Sequence, residues 1–575
     1  MKCIIRYLRP FFGIMSLGLT IKILGTLFEL ALPYILHYIL DEIVPLADMR
    51  QIILWGVIMI ACAALGLTLT VKANRMASKV ARDAAEVLRH DLFNKTMHLS
   101  ARQTDKFTIP SLEARLTTDT YNVHNFIARM QRLGVRAPIL LIGGLLMTTV
   151  LDPRLTLVMA AVLPFLGVAV WFISSRGVPL YTDVQKASDR MIRVVREDAQ
   201  GIRVIKALSK TDYESRRFDS YNQSLSSVER KAGTIMAATN PTMNLFLNLG
   251  LTAVIFVGAF FIARGGSTKP GVIIAFMQYF TLISNALLSV TRIFVMYTKS
   301  AASANRIAEV LETEDDLPVL PTEDFPRRRD SGYITFKNVN FSYRGVKKNL
   351  SDITFSLEKG QTLGIIGATG SGKSTLIQLL MRFYDVDSGC IRIGGEDIRT
   401  IPAKRLHHLF GVALQSDFLF ADTVAENIRL GRDLTDEQIK KATRIAQASD
   451  FIEAFPEGYE HMLSTAGTNV SGGQKQRLLI SRAVAANPDI LILDDSSSAL
   501  DYKTDAALRA ALREDLPDAT KIIVAQRVSS IKHADLILVL DHGCIIGMGK
   551  HEQLLENCPV YEEISRSQMG GAFVE

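Results

Sequence analysis

The 575-residue sequence predicts two folds in series: a polytopic α-helical membrane domain of six transmembrane helices with long cytoplasmic extensions, then a soluble α/β domain. Three observations carry that expectation. Six apolar stretches, each near the roughly 20 residues that cross hydrocarbon, fall in the first half. Basic residues crowd alternate connections between them, as they do on the cytoplasmic side of a membrane. Beyond residue 332 the pattern changes to interleaved strand and helix signals, which argue for an α/β core. Composition agrees: 48% hydrophobic with 21% charged residues fits a chain divided between lipid and water. A net charge of +7 is what basic cytoplasmic loops give, and no nucleic-acid partner is expected.

In chain order, Lys2, Arg6 and Arg9 flank an amphipathic segment, residues 4–12, suited to the cytoplasmic surface. No removable signal peptide is expected, since no short apolar core ends in a small-residue cleavage site. The spans are placed at 13–39, 52–71, 137–151, 155–173, 243–263 and 272–297. Only Asp152-Pro153-Arg154 separates the third and fourth, a tight turn on the outer face. The connections after the second and fourth spans are long and rich in Lys and Arg, so they belong in the cytoplasm with both termini. From Lys72 to Met97 there is neither Pro nor Gly, which predicts a helix continuing the second span. Each long connection is expected to carry a short crosswise helix at its middle, at 110–116 and 197–207.

An acidic cluster with Pro318, Pro321 and Pro326 then reads as a linker. The expected organisation is a transmembrane domain at 1–310, a linker at 311–332 and an α/β domain at 333–575. Cys3, Cys62, Cys390, Cys544 and Cys558 lie far apart with no metal spacing, so reduced, non-catalytic thiols are expected. His407 and His408 likewise have no ligand-spaced companions.

The strongest chemical signal is Gly367-Ala368-Thr369-Gly370-Ser371-Gly372-Lys373-Ser374-Thr375, which follows an apolar strand and opens an apolar helix. That is the context of a phosphate-binding loop: glycines let backbone N–H groups close around phosphate oxygens at a helix N-terminus. Lys373 is then expected at the β- and γ-phosphates and Ser374 at Mg²⁺. The second signal is Ile490-Leu491-Ile492-Leu493-Asp494-Asp495, a strand that delivers the Asp494 carboxylate to Mg²⁺. Together the two identify a nucleoside triphosphatase.

Between them lies Val470-Ser471-Gly472-Gly473-Gln474-Lys475-Gln476-Arg477, which resembles the signature of ATP-binding-cassette (ABC) proteins. Other matches come in the family's order. Tyr343 looks like its adenine-stacking aromatic, and Gln415 like the glutamine that senses Mg²⁺. Ser498-Ala499-Leu500-Asp501 is similar to the loop that meets a partner cassette. In the first half, 201–206 and the Glu29…Pro33 pair are similar to pieces of six-span bacterial exporters of the type IV fold. The resemblance implies a dimer in the bacterial plasma membrane. Each ATP would lie between one chain's phosphate loop and the Ser471, Gly472, Gly473 and Gln474 positions of the other, and cassette closure would drive alternating access.

Three positions depart from that pattern. The residue after Asp494 is Asp495 where active members carry Glu, and Gln526 stands where they carry a switch His. Ser464-Thr465-Ala466-Gly467 lacks the Glu-Arg pair common before the signature. A carboxylate withdrawn by about 1 Å can cost about 10²-fold in rate. Gln cannot take up a proton near neutral pH as His can. The expectation is therefore the degenerate-site half of a heterodimeric multidrug exporter moving small amphipathic or lipophilic compounds. Its own catalytic set, Asp495, Gln526 and Gln415, would be impaired and its signature intact. A homodimer, a lipid flippase, a peptide exporter and a non-transporting regulatory subunit use the same motor and stay open. Lys22 and Glu29 in the first span and Arg292 in the sixth should face the bundle interior or a wet cavity, Lys22 and Glu29 pairing with other helices or holding packing. The aromatics Phe276, Tyr279, Phe280 and Phe294 are expected to pack; substrate contact is the alternative for all of these residues.

Overall fold

The computed structural model describes residues 2–264, 268–327, 332–343, 345, 348–415, 417–496 and 498–569. The chain forms two compact units. One comprises Met1–His98 and Thr108–Thr313; the other comprises Leu99–Phe107 and Glu314–Glu575.

The first unit is helical. Cys3–Leu46, Met49–Met97, Ile109–Leu151, Asn244–Ala263 and Pro270–Leu311 are each long and apolar enough to cross a membrane. The expected fourth span opens the 55-residue helix Pro153–Ala207, whose described apolar run, Pro153–Ala169, is shorter. The most apolar window of Met49–Met97 has none of its residues buried, and Leu54, Val57 and Ile60 face outward. Apolar surface of that extent has lipid as its natural solvent.

Farther along the same helix the burial pattern inverts. Ala73, Ala77, Val80, Ala81, Ala84, Leu88 and Leu92 make a buried stripe at helical spacing, the small residues admitting close neighbours. The continuous helix expected from Lys72 to Met97 is present. Carboxylates tie the helix ends together. Asp152 caps Pro153–Ala207 by accepting from the Arg154 N–H at 2.9 Å, and it also accepts from the Thr268 hydroxyl at 2.7 Å. Asp41 accepts from the Gly271 and Val272 N–H groups at 2.7 and 3.0 Å. A Cβ on Gly271 would lie 2.7 Å from that carboxylate, so only glycine fits.

One expectation needs correction, and one gains an unforeseen neighbour. Residues 197–207 are no separate crosswise helix; they are the last turns of Pro153–Ala207. Nothing there forces a break, and the chain turns only at Ser209, which has φ +51°. In the first connection a helix does form at Ile109–Ala114, but another, Ala101–Phe107, precedes it and groups with the second unit. Ser100 and Gln103 start it as a capping box, each side chain bonding the other's backbone N–H, and Thr108 at φ +64° ends it.

The second unit contains two sheets. β1 (Ile334–Phe341), β2 (Leu350–Leu357), β4 (Ser388–Ile393) and β5 (Glu396–Asp397) form an antiparallel sheet in the order β2-β1-β4-β5. The larger sheet runs β10-β9-β3-β8-β7-β6, with β3 (Thr362–Gly367), β6 (Phe410–Ala413), β7 (Ile490–Asp494), β8 (Thr520–Val524), β9 (Leu536–Asp541) and β10 (Cys544–Gly549). β6, β7, β8, β3 and β9 are parallel, and only β10 runs against them. Parallel strands are covered on both faces, which is why β7 reads Ile-Leu-Ile-Leu-Asp and is buried throughout. β3 and β7 end at the same edge of the sheet, one releasing the glycine-rich loop and the other the two aspartates.

Candidate functional site

The glycine-rich loop closes on itself because two of its glycines hold conformations that side chains resist. Gly372 has φ +105° and caps the helix Lys373–Leu380; a Cβ there would meet Leu350 at 2.6 Å. A Cβ on Gly367 would stand 2.1 Å from the Leu540 carbonyl oxygen. Lys373 Nζ donates to the Gly367 and Ala368 carbonyls at 2.8 and 2.9 Å. The buried Ser371 hydroxyl has no partner among the described residues.

A cavity of about 240 Å³ opens over this loop. Thr369, Gly370, Gly372, Lys373, Ser374 and Thr375 line it from the loop side, and Gln415, Asp494, Asp495 and Gln526 from the facing strand ends. Burial lowers the basicity of Lys373, with Asp494 and Asp495 opposing. Burial pushes the Asp494 carboxyl up, opposed by its hydrogen bond from Ser374. A hydroxyl, an amide oxygen and a carboxylate are hard oxygen donors, so Ser374, Gln415 and Asp494 fit Mg²⁺.

Asp495 is held in an uncommon way. It sits at φ +50°, the left-handed conformation that Asp tolerates better than most residues. Its Oδ2 accepts from Gln526 Nε2 at 2.8 Å and from Gln415 Nε2 at 3.3 Å. Burial raises its pKa, opposed by the Gln526 hydrogen bond and by Lys373. One carboxylate oxygen thus serves two neutral amides. Gln526 is fixed in turn by Gln568, which donates to the Gln526 carbonyl and accepts from the Val528 N–H, both at 2.8 Å.

Other candidates lie apart from the cavity lining. Tyr343 packs edge-on against Phe341 and Tyr384, and its hydroxyl donates to Gln378 at 2.6 Å. The signature begins the helix Gly472–Val484, where Ser471 and Gln474 form a capping box. Its Gln476 Oε1 accepts from the Ala499 N–H at 3.1 Å, so signature and Ser498–Asp501 loop are braced together. Asp501 caps the helix Tyr502–Asp515 through the Thr504 N–H at 2.8 Å. Arg527 spans from beside Gln526 to the Leu500 carbonyl, 3.2 Å away. One chain therefore presents a phosphate-loop half-site and a signature half-site as separate surfaces. Sequence reasoning missed Asn349, which also lines the cavity, and Gln568; neither has a motif or spacing to mark it.

Comparison with known proteins places these features. The model described as the ABC transporter transmembrane region matches residues 15–287, and the ABC transporter model matches residues 350–498. An ABC transporter ATP-binding protein of Mycobacterium tuberculosis is 34% identical over 574 residues, 99% of this chain and 98% of its own. The protein YfiB of Bacillus subtilis is 33% identical over 99% of both chains. The ATP-dependent lipid A-core flippase of Vibrio cholerae is 33% identical over 84% of this chain and 83% of its own. A solved structure of a bacterial Atm1-family ABC exporter with ATP bound shares the fold, with a TM-score of 0.80 and 23% identity over 96% of this chain and 98% of that one.

Proposed function

The chain belongs to the ABC transporter family as a membrane-embedded exporter half with an ATP-binding domain, and we propose that it works as the hydrolysis-impaired half of a heterodimer. In this reading residues 1–310 form the transmembrane domain, 311–332 the linker and 333–575 the ATPase. The heterodimer exports amphipathic or lipophilic compounds from the cytoplasm of a bacterial cell.

One observation carries the assignment of the impaired site: Asp495 and Gln526 bond each other at 2.8 Å, in the place where a base must face water. In acting as general base, Asp495 must take a proton from the attacking water, yet one of its oxygens already serves two amides. Gln526 can donate to a phosphate oxygen but cannot relay a proton. This chain's site therefore holds ATP through Lys373 and the loop N–H groups more readily than it cleaves it. Ser374, Gln415 and Asp494 would hold Mg²⁺, which neutralises charge on the β- and γ-phosphates when bound. Tyr343 is assigned to the adenine. Ser471, Gly472, Gly473 and Gln474, with Asp501 behind them, complete the partner's hydrolytic site.

The test is Mg-ATP hydrolysis by this chain purified alone, and again with a second half that carries Glu and His at the positions of Asp495 and Gln526. Slow turnover alone and fast turnover in the pair support the assignment. Equal rates per site would leave a homodimer as the working form. The relative named a lipid A-core flippase favours one variant of the reading, in which the compound moved is a lipid.

A further inference from the structure

Lys22, Arg129, Arg132, Arg136, Arg292 and Glu29 line one cavity of the helical unit, about 570 Å³ in volume. Five cations face one carboxylate there. Charge at membrane depth is costly and is retained where it meets a partner, a ligand or water. Among the described residues only Arg136 has a carboxylate partner, its Nε donating to Glu29 Oε2 at 3.1 Å. The remaining contacts are neutral. Lys22 Nζ donates to Asn74 Oδ1 at 3.4 Å, and Arg129 Nη1 to the Met296 sulfur at 3.8 Å. Arg132 donates to the Ser78 hydroxyl through Nη2, while its buried Nε has no acceptor among the described residues.

The cations come from three helices, Phe12–Tyr38, Thr120–Leu151 and Pro270–Leu311, so their meeting is a tertiary arrangement. Arg129, Arg132 and Arg136 are three and four residues apart, on one helix face. They immediately precede the apolar run 137–151, and Asn74 just follows the apolar run 52–71. Arg129, Arg132 and Arg136 thus stand where hydrocarbon gives way to cytoplasm, whereas Lys22, Glu29 and Arg292 lie within the spans 13–39 and 272–297. Leu32, Leu67 and Met296 make apolar parts of the same wall.

We propose that this cavity binds anionic amphiphiles, compounds whose phosphate or carboxylate headgroup meets the cations while hydrocarbon lies along Leu32 and Leu67. Guanidinium groups offer paired donors matched to such oxyanions, and a low-dielectric wall strengthens the attraction. The assignment rests on the exporter reading and narrows its substrate class.

The experiment uses the reconstituted pair in nanodiscs, with binding measured by calorimetry for dodecyl phosphate, dodecyltrimethylammonium and inorganic phosphate. Dodecyl phosphate should bind at least about tenfold more tightly than dodecyltrimethylammonium, an effect expected from one charge-assisted contact. It should also bind at least about tenfold more tightly than inorganic phosphate, which has no hydrocarbon to bury along Leu32 and Leu67. The double variant Arg129→Gln/Arg292→Gln should lose about tenfold in that affinity. Arg129→Lys/Arg292→Lys, which keeps the charge, should retain most of it and guards against misfolding of the first variant. Equal binding of dodecyltrimethylammonium, or an unchanged affinity in the Gln variant, overturns the assignment. Inorganic phosphate binding as tightly as dodecyl phosphate also overturns it, since the ligand would then be a soluble anion. Mg-ATP hydrolysis is measured in the same preparation. A pair that hydrolyses ATP without distinguishing the probes overturns only this assignment; a pair without hydrolysis overturns the exporter reading and the assignment with it.

Discussion

Replacing Asp495 by Glu and Gln526 by His should convert this chain's nucleotide site from a holding site into a hydrolysing one. In the structure Asp495 Oδ2 lies 2.8 Å from Gln526 and 3.3 Å from Gln415, so its free reach toward a water is short. One added methylene moves the carboxylate outward by about 1 Å, and misplacement of that size is worth about 10²-fold in rate. His at 526 adds a group that exchanges protons near neutral pH and removes one of the two amides from the carboxylate. Stability should move the other way. Asp495 occupies φ +50°, which Glu tolerates less well, at a cost of about 1 kcal/mol. Faster turnover with slightly lower thermal stability is a pattern that general tightening of the fold cannot produce. The assay is phosphate release from the pair, with the partner's catalytic Glu replaced by Gln so that only this chain's site counts. A rise of about 10²-fold is expected. If the unaltered site already turns over at the rate of the double variant, the reasoning about reach and proton transfer is refuted.

Three further outcomes are expected. Ser471→Ala removes the cap of the signature helix, at about 1 kcal/mol, and phosphate release by the pair should fall tenfold or more. Ser471→Thr, which keeps the capping oxygen, should lose far less in the same assay. Tyr384→Phe removes the 2.7 Å hydrogen bond to Asp105 on the helix Ala101–Phe107, worth about 1 kcal/mol; substrate moved per ATP hydrolysed should drop more than hydrolysis itself. Arg306→Ala removes the charge-assisted bonds to the buried Asp119 carboxylate, to which the half-exposed Arg306 donates from Nε at 2.8 Å, and thermal unfolding should report a loss of about 1.5 kcal/mol.

Much of this arrangement was legible in the residues because it is written locally. The glycine-rich loop, the apolar strand ending in Asp494 and the capped signature are short runs whose spacing dictates their conformation. The turn at Asp152-Pro153 and the long helix through Lys72–Met97 were equally local. What the sequence hid depends on distance along the chain. Asp495, Gln526 and Gln415 are 31 and 80 residues apart, and only the parallel sheet order brings their side chains within hydrogen-bond range. The same holds for Gln568 behind Gln526. Glu29 was expected to pair or pack, but its partner Arg136, 107 residues away, is fixed by helix crossing alone. Phe276, Tyr279 and Phe280 are buried packing residues, whereas Phe294 is exposed; period alone could not tell these apart. The helix Ala101–Phe107 was a different kind of miss. Its Ser-x-x-Gln capping box, Ser100 and Gln103, stands in the sequence as a local start signal, although a helix was expected only at 110–116. Residues 197–207 erred in reverse, because helix-forming composition marks continuation as readily as a new start.

The central claim is that ATP is held between two chains, one giving the loop around Lys373 and the other a signature like that at Ser471. It is tested most directly by pulsed electron spin resonance on the reconstituted pair, with one label at exposed Tyr502 of this chain and one at the equivalent position of its partner. Mg-ATP should shift the label separation to a shorter, narrower distribution than the nucleotide-free sample gives, and Lys373→Ala together with its partner equivalent should abolish the shift. An identical distribution with and without Mg-ATP would contradict the account.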